Sequence, residues 1–168
     1  MARFCLDTSW ISNPLQTMPP DVHVTLWKKI FTLVEDCAFC WTEEISHQLE
    51  RIPNARFIEI LKVTNKVACF GLEKEGWPRT AYQEHFNRVT RKYQHVIKEY
   101  SGDRQATIDT ADCSIVCLGI TLGLPVVSME KPNDHSRKRR MRIPDLCEEE
   151  NVTHYDMTQF LRQEGITL

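Results

Sequence analysis

The chain has 168 residues, 42% hydrophobic and 26% charged, with a formal net charge of −2, which predicts a single globular domain over residues 1–168. No run of about 18 apolar residues occurs, so no membrane-spanning helix is indicated, and the small net charge argues against a generally basic nucleic-acid coat. Seven cysteines at irregular spacing, several inside apolar runs such as FCLD and SIVCLG, predict a reduced cytoplasmic protein that uses Cys as a small core residue.

The opening MARFCLDTSW lacks the long apolar segment of a secretory leader, and Arg3–Leu6 is a short apolar run ending at Asp7, expected as the first strand. Pro19-Pro20-Asp21 suits a helix start, and Val22, Leu26, Trp27, Ile30, Leu33 and Val34 follow at helical spacing. Cys37 to Trp41 is expected as the second strand. Its Cys37-x-x-Cys40 pair has no second CxxC or HxxxH at finger-like spacing, so buried strand residues are expected there rather than zinc ligands. Thr42 is a fitting N-cap for a helix striped by Ile45, Leu49 and Ile52 and ended by Pro53. Phe57, Ile60, Leu61, Val67 and Ala68 predict a further helix, and residues 71–78 a break. Tyr82, Phe86, Val89, Tyr93, Val96 and Tyr100 then predict a long helix with its aromatic stripe in the core. After a turn at Ser101-Gly102-Asp103, Asp109 to Leu122 is apolar nearly all round, which predicts a buried helix closed by Gly123. Pro125 to Ser128 reads as a strand, residues 131–142 as a basic loop, and Ile143-Pro144-Asp145 as the opening of a short helix. Val152 to Tyr155 and Asp156 to Gln163 close the chain as strand and helix. Short apolar strands alternating with helices predict an α/β fold with a mostly parallel central sheet.

Sites in such sheets form beyond the carboxyl ends of the strands. Asp7 follows the first strand, Glu43 and Glu44 the second, and Glu130 the Pro125–Ser128 strand, while Asp109 and Asp112 open the buried helix. Carboxylates gathered at one sheet edge repel one another, and a hard cation removes that cost. Oxygen-only ligands suit Mg²⁺ or Mn²⁺. Acids are also common in turns and at helix N-termini, so the conjunction carries the argument rather than any single residue.

Two further features need placing. TEEISHQL contains Glu44-x-x-His47, the spacing of half a di-iron site in a helical bundle. No second copy exists and the motif follows a strand, so a bundle site is not expected and His47 is read as a surface residue. The segment HSRKRRMR concentrates Arg137, Lys138, Arg139, Arg140 and Arg142 in one loop joining Glu130 to Ile143. The rest of the chain is correspondingly acidic, which suggests one local anionic contact, with RNA phosphates or with a protein partner.

These residues carry a resemblance. FCLDTSWIS resembles the apolar strand followed by Asp-Thr-Asn or Asp-Ser/Thr-Ser of PIN-domain proteins, compact α/β/α nucleases that include the VapC-type toxins of bacterial toxin–antitoxin pairs. TADCSIVCLGITLGLPVVSMEKP resembles the family's Ala-Asp helix, small-residue break and Val-Val-Thr strand with an acid two residues beyond. RIPDLCEEENVTHYDMTQFLRQEG resembles the end of a PIN-like branch in which a Lys/Arg-rich loop precedes Ile-Pro-Asp. The resemblance covers most of the chain and is weakest over residues 54–106. It implies a three-layer α/β/α sandwich and hydrolysis of RNA phosphodiesters with Mg²⁺ or Mn²⁺. It assigns metal carboxylates to Asp7, Asp112 and Glu130, and supporting hydroxyls to Ser9 and Ser128. It further implies a protein antitoxin as partner and a homodimer, and the basic loop, by its placement between Glu130 and Ile143, fits RNA contact at that edge. The family's Glu on the helix after the second strand is replaced by Gln48, so Glu44, one turn earlier, is the expected substitute, with Gln48 in support and Asp109 as a further acid. If no carboxylate substitutes, the alternative is a PIN-like module that binds RNA or protein without cleaving it.

Overall fold

A computed structural model of the chain describes residues 2–53, 55–68, 76–102, 108–133 and 140–166. Arg137, Lys138 and Arg139 of the basic loop, Asp103 of the expected turn, and residues 71–75 of the expected break lie outside the described residues.

The strands are β1 (Phe4–Leu6), β2 (Phe39–Cys40), β3 (Val126–Val127) and β4 (His154–Tyr155), paired in the order β2-β1-β3-β4 and parallel throughout. Between β1 and β2 lie α1 (Ser9–Thr17) and α2 (Val24–Glu35). Between β2 and β3 lie α3 (Glu43–Leu49), α4 (Ala55–Ala68), α5 (Arg79–Tyr93), α6 (Lys98–Ser101) and α7 (Thr110–Leu122). The helix α8 (Ile143–Glu149) precedes β4, and α9 (Met157–Gln163) follows it. The chain winds outward from β1 to β2 and then back across to β3. Right-handed crossovers in opposite directions put helices on opposite faces, which yields the α/β/α sandwich. The point of reversal lies between β1 and β3, and the crevice beyond their carboxyl ends is where such sheets hold ligands.

Packing follows from the apolar pattern. Every residue of β1, β2 and β3 is buried, as a sheet covered on both faces requires. On one face Phe4, Trp10 of α1, Phe39 and Phe160 of α9 form an aromatic cluster, with Trp10 and Phe160 edge-to-face at 4.8 Å. On the other, α7 packs on β1, α5 and α8. Gly119 permits the closest approach there: a Cβ at this position would meet Val126 and Val152 methyls at 3.0 Å. Gly123 ends α7 in the left-handed region, as the sequence predicts.

The differences from expectation have local causes. A helix, α1, forms where none was expected, and it carries Pro14 within it. The expected helix from Pro19 starts only at Val24, after a turn. The long aromatic stripe does not continue to Tyr100: α5 ends at Tyr93, and Ile97 is instead extended and bridged to Ile108. Cys5, Cys113, Cys117 and Cys147 are buried free thiols, as expected, but Cys40 is disulfide-bonded. β2 is the edge strand and packs against α4, so its flank meets chain distant in sequence, which the spacing within DCAFC does not reveal.

Candidate functional site

Asp7 extends the β1 ladder by one residue, its N–H donating to the Val127 carbonyl at 3.0 Å, and is only 4% exposed. Its Oδ2 accepts from the Ser9 N–H at 2.9 Å and from the Ser9 hydroxyl. The Ser9 hydroxyl in turn accepts from the Met129 N–H at 3.0 Å, so Ser9 joins the ends of β1 and β3. Ser128 is fully buried; its Oγ lies 2.8 Å from His154 Nε2 and accepts from the Glu130 N–H at 3.2 Å. Burial lowers His154 to about 4, with Asp156 opposing, so the imidazole is neutral at physiological pH and can accept the Ser128 proton. Glu130 Oε2 accepts from the Ile143 N–H at 2.9 Å. Asp112 Oδ2 accepts from the Asp109 N–H at 2.9 Å while Asp109 Oδ1 accepts from the Asp112 N–H at 3.0 Å, a reciprocal cap at the start of α7. These bonds anchor Asp7, Asp112 and Glu130 through a single oxygen each.

The electrostatics join these groups. Burial raises Asp7 to about 6 against the Ser9 bonds that oppose it, and the Glu130 charge adds to the rise. Asp112 is raised well above the ordinary carboxylate range, by burial first, then by Asp109, Asp7 and Glu130. No cationic side chain offsets either shift among the causes that set them. The donors are hard oxygens, the chemistry of a Mg²⁺ or Mn²⁺ site, and buried like charges are what such an ion relieves. Among the described residues, however, no group of three or more His, Cys, Asp or Glu side chains is arranged to hold a metal ion.

Helix α3 departs from expectation. Gln48, not Glu44, reaches this edge: the Thr8 hydroxyl donates to Gln48 Oε1 at 2.7 Å, next to Asp7. Glu44 lines a separate cavity of about 750 Å³ between α3, α4 and α5, where its charge acts on Tyr82. One turn of helix separates the two residues, and that turn carries Glu44 off the Asp7 edge. The α3 residue bonded beside Asp7 is thus Gln48, while Glu44, the expected substitute, lines the cavity. Asp109 caps α7 through one carboxylate oxygen. His47 is exposed, between Glu43 at 4.0 Å and Glu50 at 3.8 Å, a surface residue as expected.

The base of the basic loop is held shut. Asp145 accepts from the Asn133 N–H at 3.0 Å and from the Arg142 N–H at 2.9 Å, and the Asn133 amide donates to the Arg140 carbonyl at 2.5 Å. With Glu130 bonded to Ile143, both legs of the loop are tied at the end of β3, which brings Arg140 and Arg142 to that edge. Sequence reasoning missed His154, Asp145 and Thr8. Asp145 follows the Ile-Pro pair as a helix-opening acid and was readable as a cap; His154 and Thr8 act through contacts with no local signature.

The chain matches the family described as "Domain of unknown function (DUF4411)" over residues 4–168, and so belongs to it. No curated protein and no solved structure matches it.

Proposed function

We propose that this member of the DUF4411 family is a divalent-metal-dependent ribonuclease of PIN-like kind. One observation carries the reading: Asp7, buried, and Asp112 and Glu130, half-buried, are distant in sequence yet act on one another's charge at the β1/β3 switch point, and among the described residues no cationic side chain is a cause of the Asp7 or Asp112 shift. Carboxylates such as Asp7 and Asp112, raised by burial and by neighbouring acids in such a crevice, are candidates for a functional site. Asp7, Asp112 and Glu130 would hold Mg²⁺ or Mn²⁺, which supplies an acidified water and charge neutralisation for phosphodiester hydrolysis. Ser9 fixes Asp7 and ties it to the β3 end, Ser128 and His154 fix the turn that carries Glu130, and Arg140 and Arg142 offer phosphate contacts. Cytoplasmic action as a toxin held by a protein antitoxin, with a homodimer as the assembled form, completes the reading by resemblance. No helix among the described residues is long and apolar enough to cross a membrane.

The test is cleavage of a mixed single-stranded RNA pool with Mn²⁺ or Mg²⁺. Cleavage that Asp7→Asn or Asp112→Asn abolishes in folded protein supports the proposal; cleavage that survives both and excess chelator contradicts it. A second reading, a PIN-like binding module without turnover, is favoured by the neutral Gln48 at the Asp7 edge. It requires RNA or protein binding that is indifferent to metal, with no cleavage.

A further inference from the structure

The cavity that takes Glu44 away from the Asp7 edge has its own chemistry. Its volume, about 750 Å³, falls within the range of small-ligand sites. Trp77 and Tyr82 line it, with ring centroids 5.4 Å apart. Lys62 also lines it but is bound to Glu50 at 3.0 Å. Glu44 is half-buried, and no hydrogen bond or ion pair reaches it from the described residues. Arg79, at the start of α5, is exposed on the rim. An aromatic wall beside an unengaged carboxylate calls for a flat ligand that presents adjacent N–H groups. Nucleobases of unpaired RNA are bound in this way, stacked on aromatic side chains and hydrogen-bonded on the Watson–Crick edge. Among the four RNA bases only guanine presents two neighbouring N–H donors there, its ring N1–H and its exocyclic amine, matching the two oxygens of one carboxylate.

The cavity is joined to the proposed catalytic edge through one helix. Glu44 opens α3 on the cavity side, and Gln48, four residues on and about 6 Å along the axis, bonds to Thr8 beside Asp7.

We propose that this cavity is a guanine-recognition pocket for single-stranded RNA, with Trp77 stacking on the base, Tyr82, whose ring is tilted 52° to Trp77, closing the aromatic wall, Glu44 accepting the two N–H groups of the base and Arg79 contacting the phosphate. The proposal deepens the ribonuclease reading and rests on it. Its test uses the full chain in chelator, so that no cleavage is involved, titrated calorimetrically with GMP, IMP and AMP; IMP lacks the exocyclic amine. The expected result is GMP binding at least tenfold tighter than IMP or AMP, and at least tenfold weaker in Glu44→Gln and in Trp77→Ala. Trp77→Phe, which keeps a ring, retains most of the binding and covers the case in which the alanine variant does not fold. Equal affinity for the three nucleotides, indifference to Glu44→Gln, or binding of a lysine-rich peptide in place of GMP overturns the pocket. The two readings fail separately. Selective GMP binding without RNA cleavage removes the nuclease and keeps the pocket. Cleavage with no preference for guanosine and no response to Glu44→Gln removes the pocket and keeps the nuclease.

Discussion

Two buried carboxylate sites in this protein are solved in opposite ways. Glu150, at the end of α8, has a side chain only 4% exposed, yet it meets Arg88 at 2.6 Å and Lys92 and the Tyr93 hydroxyl at 2.9 Å. Burial would raise it, but those three donors bring its pKa below the ordinary value. This is a clamp between α5 and α8, complete in itself. Asp7 is as deeply buried and Asp112 is half-buried; among the described residues each receives only neutral donors, each feels the charge of Glu130, and both are raised. Among the described residues, two cations thus meet Glu150, while the bonds to Asp7 and Asp112 come from neutral groups. A buried acid met by cations is a structural pair, whereas acids raised by burial and by one another are candidates for a functional site.

The largest expected effect lies in activity. Asp112→Asn or Asp7→Asn should lower RNA cleavage by on the order of 10³-fold or more, because each removes charge worth several kcal/mol at the reacting phosphate; single-turnover assays measure this. Glu150→Gln should leave the chemical step unchanged.

Stability should respond in opposite directions at the two sites. The folded pKa of Asp7 lies above its ordinary value, about 6 against 3.8. The folded state therefore binds the extra proton, and the contribution is fully present below about pH 3.8 and lost as pH rises through about 6. In chelator, Asp7 alone should cost roughly 3 kcal/mol of unfolding free energy between pH 4 and pH 8, and Asp112 adds in the same sense. Urea unfolding across that range reads the loss, and Mn²⁺ should restore much of it at pH 8 and little at pH 4.5. Glu150 runs the other way: its lowered pKa makes its contribution present above the ordinary carboxylate range and lost on acidification. Glu150→Gln at pH 7 should cost about 1–2 kcal/mol, tempered because Arg88 and Lys92 are half exposed and regain water. Glu44→Gln should shift stability by less than about 0.5 kcal/mol, since no described residue bonds to it.

Much of the fold was legible because its signals are local. The apolar runs around Phe4, Phe39, Val126 and His154 mark all four strands, and the apolar girth of residues 110–122 marks α7 as central. Asp7 and Glu130 were legible because a parallel sheet sends whatever follows its strands to one edge. The role of Glu44 was not. Whether Glu44 or Gln48 meets the end of β1 depends on how α3 is rotated, and that is set by Ile45 and Leu49 packing in the core and by the Thr42–Ser114 bond at 2.6 Å to α7. Neither contact has a trace in the spacing of TEEISHQL. The same holds for His154, whose partner Ser128 is 26 residues away and becomes adjacent only through the β3/β4 pairing.

If Asp7, Asp112 and Glu130 hold a divalent cation, as proposed, calorimetric titration of Mn²⁺ into the chelator-treated chain at pH 7.5 detects it. Saturable binding that Asp112→Asn removes and Glu150→Gln leaves intact is the predicted result. Absence of saturable binding, or binding that Asp112→Asn does not weaken, would contradict it.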